Sequence, residues 1–360
     1  MAGSAISGRE VTIAVKRATT WATPVVLGAL DGLLVKTNGL VKTVVLLADQ
    51  PLGTGFETET NAGLNAMTGA LAGEARYDGN EWLLLAMAMG AAGAPTQIGA
   101  VAAYSHTLQL TPGIAGLFGT LVQKMKSDLV FEWPTVKPGT FTLKGGKKIP
   151  TDFSITVVGA GLNQNADGGG GANTPDSLRS VTYRDKRNRM IMDSNAYIRV
   201  NTQSDGALAA SDQLYVAGFE LTATRPIEGD NVLDGTDYIT EPVGTGFLSI
   251  SLKLMFPEFV DGGAALIAAF GANPPTPKKM EIYIRGPVVA GSVHYACLIQ
   301  IPQAYLAAGI PPIPGPGKIP HELTFQLTEA LTAPTGMTSP SVTKPFAITL
   351  INARGTDFLA

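Results

Sequence analysis

One cysteine, Cys297, stands in 360 residues, so no intrachain disulfide can brace the chain. Charge is also scarce. Asp, Glu, Lys and Arg make up 15% of the residues, against roughly 25% in an ordinary soluble protein, while apolar residues stand at a usual 45%. The missing charge must come off the surface, and wide weakly polar areas commonly mark contact surfaces. Extensive self-association is the first expectation. Long hydrophobic runs are missing too. The longest, Trp82 to Met89 and Ala264 to Phe270, would rise about 12 Å at most as helices at ~1.5 Å per residue, well short of a ~30 Å bilayer core. The opening Met1-Ala-Gly-Ser-Ala-Ile-Ser-Gly lacks the apolar region of a secretory signal. A chain that neither follows that export route nor spans a membrane is expected.

Strong charge of one sign is absent as well. The net charge is −3, and residues 1–175 carry 12 basic and 12 acidic side chains, leaving 14 and 17 for the remainder. Neither half has the strongly basic face of a nucleic-acid grip. The one concentrated positive stretch runs through Arg179, Arg184, Lys186, Arg187 and Arg189. It reads either as a solvated flank or, through Arg184, Lys186, Arg187 and Arg189, as a docking patch for an acidic partner or a neighbouring subunit.

Catalytic and cofactor motifs fail one by one. Val157-Val-Gly-Ala-Gly161 starts like a dinucleotide fingerprint, but Gln164 stands where the third glycine belongs. Gly168 to Gly171 is not followed by the Lys-Ser/Thr of a phosphate-cradling loop. His106, His294 and His321 are far apart in sequence, and a lone cysteine offers no zinc set. The acidic stretch Glu228, Asp230, Asp234, Asp237 and Glu241 does not follow calcium-loop spacing, and its Asp-Gly and Gly-Asp pairs suit turns. No enzyme, cofactor or metal site is expected.

What is present is a repeat. Pro51-Leu-Gly-Thr-Gly-Phe56 returns as Pro242-Val-Gly-Thr-Gly-Phe247, Asp78-Gly79 as Asp261-Gly262, and Lys148-Ile-Pro150 as Lys318-Ile-Pro320. The anchors keep their order while the offset drifts from 191 to 170 residues, as a duplicated domain would leave after its loops changed length. A unit this long is a domain, not a layer of a solenoid. Asn163 to Pro175, with four consecutive glycines and no large apolar side chain, reads as the linker. The expected domains are residues 1–175 and 176–360.

Each unit reads as short strands parted by Gly, Pro, Asn and Asp turns. The first-half runs are Val11 to Lys16, Leu33 to Thr37, Lys42 to Leu47, Tyr104 to Leu110, Leu129 to Trp133, Thr140 to Lys144 and Phe153 to Val158. Those of the second half are Ala196 to Asn201, Leu214 to Thr224, Gly246 to Phe256, Met280 to Arg285, His294 to Ile301, Glu322 to Thr328 and Phe346 to Ile351. Alternation such as Glu322-Leu-Thr-Phe-Gln-Leu-Thr suits an antiparallel sheet with one face buried. The expectation is an all-β fold of two tandem sandwich or barrel domains with one short helix each. The helices are Asp78 to Gly90, capped by Asp or Asn and stopped by Gly, and Asp261 to Gly271. Both are apolar nearly all round and so need cover from their own sheet and from a neighbour. Phe56 to Asp78 is longer than its counterpart and rich in small residues, which suggests a flexible arm ordering against another subunit. Leu52, Phe56, Glu57, Glu59, Leu64, Met67 and Leu71 are its candidate contacts.

Gly8-Arg-Glu-Val-Thr-Ile-Ala-Val-Lys16-Arg-Ala-Thr-Thr20-Trp21-Ala-Thr-Pro24 and Tyr77-Asp-Gly-Asn-Glu-Trp-Leu-Leu-Leu-Ala86 resemble segments of the tail tube proteins of long-tailed bacteriophages. The likeness covers most of the first half and reaches the second mainly through the repeat. It implies β-sandwich domains in rings of six, inner strands that close a continuous barrel, and long loops that stack the rings. A duplicated chain would then form homotrimeric rings of pseudo-sixfold outline. The implied partners are further copies of the chain, the tail tip or initiator, the tape measure and the tail terminator. DNA would pass through the lumen without sequence-specific binding. The implied location is the virion tail, assembled in the host cytoplasm. A head or decoration protein, or a carbohydrate-binding tail adhesin, is the alternative from another class.

Overall fold

Period-two alternation becomes strand in nearly every run that carries it. The computed structural model describes residues 8–49, 56, 59–125, 129–165, 171–233, 238–257, 266–267, 274–310, 313, 319 and 321–360. In the first half the main strands are β1 Val11–Ala18, β2 Val41–Asp49, β3 Glu59–Glu74, β4 Tyr104–Leu110, β5 Phe118–Met125, β6 Leu129–Gly146, β7 Ile149–Gly159 and β8 Asn163–Asn165. The second half supplies β9 Tyr197–Thr202, β10 Gly218–Thr224, β11 Ser249–Phe256, β12 Lys278–Ala290, β13 Val293–Ala308, β14 His321–Leu327 and β15 Ala347–Asn352. The fold is all-β, and its ladders are antiparallel. Of the run Leu33 to Thr37, only Thr37 enters a strand; the rest is held by single bonds such as Leu33 N–H to Ile13 O at 2.8 Å.

The two halves use one pairing scheme. In the first, β1 pairs with β5, β5 with β6, β6 with β8 and β7, β7 with β3, and β3 with β2. In the second, β9 pairs with β12, β12 with β13, β13 with β15 and β14, β14 with β11, and β11 with β10. Substituting β1, β2, β3, β5, β6, β7 and β8 by β9, β10, β11, β12, β13, β14 and β15 turns the first set into the second. Each unit turns on one long strand. The N-terminal part of β6 runs beside β5 as far as Val136, and its C-terminal part runs beside β7 from Val136 onward. Pro134 and Pro138 sit at this corner, where a missing N–H does least harm because the strand is changing sheets. In β13 the corresponding change comes at Ala304, two residues after Pro302.

The core runs through both units. Phe141, Phe153, Phe219, Phe325 and Phe346 are all buried in one cluster, and the rings of Phe141 and Phe346 meet edge to face at 6.1 Å. Two ladders also cross between the halves: β6 with β10, and β4 with β15. The expected boundary after Pro175 is not a gap in contacts. Asn173 is buried and bonds Leu27 N–H, Val25 O and the Glu132 carboxylate, while Leu178 and Val181 pack with Ala14 and Val122 of the first half. Bridges Arg76–Arg189, Pro150–Ile191 and Lys147–Met192 continue this docking. The chain from Gly171 to Met192 therefore lies on the first unit.

Helix α1, Glu81–Met89, ends as its sequence demands: Gly90 takes φ 95° and its N–H bonds Ala86 O. Its start differs from expectation. Asn80 occupies the cap position, but its amide donates to Leu30 O at 2.7 Å and Gly32 O at 3.0 Å instead of capping the helix. Every residue of α1 is buried within the chain itself, so no neighbouring subunit is needed to cover it. Of the second expected helix, Leu266 and Ile267 are described and are helical; its other residues lie outside the described set.

Candidate functional site

Ladder β6–β10 is a seam between the two units. Phe219 pairs with Gly145, Glu220 with Lys144, Leu221 with Leu143 and Thr222 with Thr142. It joins the edge of the first unit to the edge of the second, giving one continuous sheet in the order β2, β3, β7, β6, β10, β11, β14, β13. At its ends lie strands equivalent to those in the seam. The edge from Thr37 to Val41, at the start of β2, stands where β10 stands: Thr37 and Asn38 pair with Ala72 and Leu71 as Glu220 and Leu221 pair with Lys253 and Leu252, and Val41 answers to Thr224. The C-terminal part of β13 stands where that of β6 stands. Among the described residues, no strand pairs with the outer side of β2 or with that side of β13 beyond Ala304. Unpaired backbone donors and acceptors on a strand edge are a template for another strand.

The edge at β2 is apolar as well as open. Val41 is 57% exposed, Leu46 66% and Leu47 57%, and Phe56 at the head of the hairpin is 90% exposed. Its repeat counterpart Phe247 is 99% exposed, beside Val243 at 62%. Such clustering is uncommon on a solitary soluble chain.

The faces of the long sheet are opposite in character. Leu71, Phe153, Ile155, Phe141, Leu143, Phe219, Leu221, Leu252, Leu254 and Phe325 point into the core. The alternate residues Asp152, Ser154, Thr142, Lys144, Glu220, Thr222, Ser251, Lys253, Glu322 and Thr324 are partly or fully exposed. This outcome was legible strand by strand in the alternation. The seam and the open ends were not, because pairing between distant strands leaves no local signal.

The expected contact residues separate. The expected flexible arm is, from Glu59 on, strand β3, paired on both sides with β2 and β7. Small residues hid it, and they serve close packing: a Cβ on Gly69 would strike the backbone of Gly39 and Leu40. Met67 and Leu71 are core residues, 4% and 0% exposed, and offer nothing to a neighbour. Glu59 and Phe56 are exposed, Leu64 lies within β3, and Leu52 and Glu57 lie outside the described residues. The basic stretch is partly used internally. Arg189 bonds Glu74 at 3.1 Å, Lys186 lies over the Tyr183 ring, and Arg187 remains exposed. Arg184 sits close enough to Asp78 to favour that carboxylate's ionised form.

The buried ionisable groups look structural. Burial pushes Glu81 up to about 7, although its carboxylate accepts the Arg76 N–H; burial likewise raises Asp78 to about 6, against the pull of Arg184 and Arg354. Burial pushes the Cys297 thiol up and leaves it unreactive at neutral pH. Lys137, 1% exposed, pairs with Glu241 at 2.5 Å and so ties β6 to the second half. A groove of about 620 Å³, lined by residues including Thr202, Gln203, Ser204, Pro277, Gln303 and Pro334, holds no acid, base or thiol. Among the described residues, no three His, Cys, Asp or Glu side chains are placed to hold a metal, and no helix is long and apolar enough to cross a membrane.

No family model matches the chain, and no curated protein matches it.

Proposed function

We propose that the chain is a structural subunit that polymerises edge to edge into rings, in the manner of a phage tail tube protein. The observation that carries this reading is the seam. A junction of the type β6–β10 is made once inside the chain, and equivalent strands stand open at the two ends of the same sheet. Joining the β13 end of one copy to the Thr37-to-Val41 edge of the next repeats the junction. A head-to-tail contact of this kind gives a ring wherever its rotation closes. Duplication of an ancestral single-unit subunit accounts for both the repeated sequence anchors and the repeated pairing scheme.

Three copies, each bringing eight strands in the order given above, would make a twenty-four-stranded wall. At ~4.8 Å per strand and a tilt of about 40°, its backbone would span roughly 50 Å. That is wide enough for a DNA duplex, so the ring suits a conduit. The exposed apolar hairpin β2–β3 and the Val243–Phe247 turn would meet the rings above and below. Tail tip, tape measure and terminator proteins are the partners this reading calls for.

Engineered cysteines test the junction. Cys297 is buried and will not interfere. Cysteines placed singly at Thr37, Asn38 or Val41 and combined with one at Tyr305, Leu306 or Ala308 should give covalent dimers and closed trimers on mild oxidation. Absence of crosslinks from every combination would overturn the edge-to-edge contact.

A further inference from the structure

We infer that the polar face of the long sheet is a wall built for a polyanion to slide past, and that Glu220 and Glu322 are there to keep Lys144 and Lys253 from gripping it. This rests on the ring reading. The other face of the sheet is covered by the core and the outer strands. A ring closed through the sheet edges therefore turns the polar face inward.

Register sorts this face into rows. One row runs Glu74, Asp152, Lys144, Glu220, Lys253 across β3, β7, β6, β10 and β11. The next runs Ala72, Ser154, Thr142, Thr222, Ser251, Gln326 and carries no charge. Its Thr142 and Thr222 hydroxyls bond each other across the seam at 3.2 Å. Charge is thus confined to a band, and each lysine in the band is matched. Lys36 lies 3.0 Å from Glu74 and 3.4 Å from Asp152, Lys144 lies 3.3 Å from Glu220, and Lys253 lies 2.5 Å from Glu322. Asp152 and Glu322 each stand two residues after the proline of the repeated Lys-Ile-Pro, and each takes a lysine. The carboxylate thus recurs in both units, although its lysine comes from the segment before β2 in the first and from β11 in the second.

These pairs are accessible to water, with Lys144 53% and Glu220 34% exposed, so they add little to stability. Their effect falls on a passing phosphate chain. A lysine free to neutralise a phosphate releases a counterion and adds to binding, with a slope near −0.9 in log K against log salt for each contact on duplex DNA. Repeated around a ring and along a tube, free lysines would hold the polymer; lysines already held by carboxylates do not.

The test uses the full chain under conditions where rings or tubes are seen by electron microscopy. Wild type and E220Q/E322Q are titrated with a fluorescein-labelled DNA duplex at low salt, and again at high salt. The wild type should bind weakly. The double variant should bind at least tenfold more tightly, lose that gain in high salt, and lose it again when K144Q and K253Q are added. Equal, weak binding by wild type and E220Q/E322Q, with both assembled, would overturn the inference. Failure of the wild type to assemble would count against the ring reading itself; tighter binding by the unassembled double variant would still show that the carboxylates mask the lysines.

Discussion

Lys144 Nζ lies 3.3 Å from Glu220 Oε2, and the two residues are register partners in the ladder that joins the halves of the chain. One contact thus belongs both to the seam and to the polar face. What holds the seam is a separate matter, because an ion pair open to water contributes at most about 1 kcal/mol. The neighbours Phe219 and Leu221, each 0% exposed, supply the burial.

Leu221→Ala should therefore cost about 3 kcal/mol, within the range for emptying a buried leucine site. Glu220→Gln should cost less than about 1 kcal/mol. Urea denaturation of the two variants checks the order. A larger loss from Glu220→Gln would mean that charge, not burial, secures the seam.

The edge at β2 gives a cleaner separation of folding from assembly. Leu46 and Leu47 are mostly exposed in the single chain, so L46K/L47K should leave its melting temperature within a few degrees of wild type. Charged residues on an open strand edge oppose pairing with another strand, and the double variant should form neither rings nor tubes. Normal assembly of L46K/L47K, seen by electron microscopy, would remove β2 from the contact.

Glu81 sets a pH dependence whose sign is fixed. Its folded-state value is about 7 against an ordinary 4.5. In that window the folded chain keeps a proton that the unfolded chain has lost, so stability falls as pH rises from about 4.5 through 7. Glu81→Gln keeps an acceptor for the Arg76 N–H and removes the titration. Its melting temperature should decline less than that of wild type between pH 5 and pH 8, with Asp78 accounting for part of the remaining slope. An unchanged decline would exclude Glu81 as the source.

Asn173 anchors the chain that follows the glycine run. Its amide bonds Val25 O and the buried Glu132 carboxylate, and its carbonyl accepts the Leu27 N–H. Asn173→Ala removes the side-chain partner of Leu27 N–H and Val25 O and one of several donors to Glu132, and should cost about 2 kcal/mol, measurable as a lowered urea midpoint. It should also speed proteolysis between Gly171 and Met192. No change in either would mean that the docked segment adds nothing to the fold.

The strands were legible because burial on one face writes a period of two into residues such as Glu322, Leu323, Thr324, Phe325 and Gln326. The repeat anchors were legible for a related reason: Lys-Ile-Pro opens β7, whose first two residues are its Ile149 and Pro150, and its second copy directly precedes β14 in the sequence. The alanines and glycines of β3 erased the alternation, which is why Met67 and Leu71 read as arm and not as core. Asn80 misled because an asparagine before a helix looks like a cap, whereas its amide reaches back to Leu30 and Gly32. The partners Glu220 and Lys144 are 76 residues apart, and no local pattern could have joined them.

The central claim, that copies join edge to edge into rings, is tested most directly by electron microscopy of the purified protein with solution mass measured alongside. The account predicts rings or tubes built from three chains, with near-sixfold outline and a central opening. Persistent two-lobed monomers, even at high concentration and with tail initiators present, would contradict it.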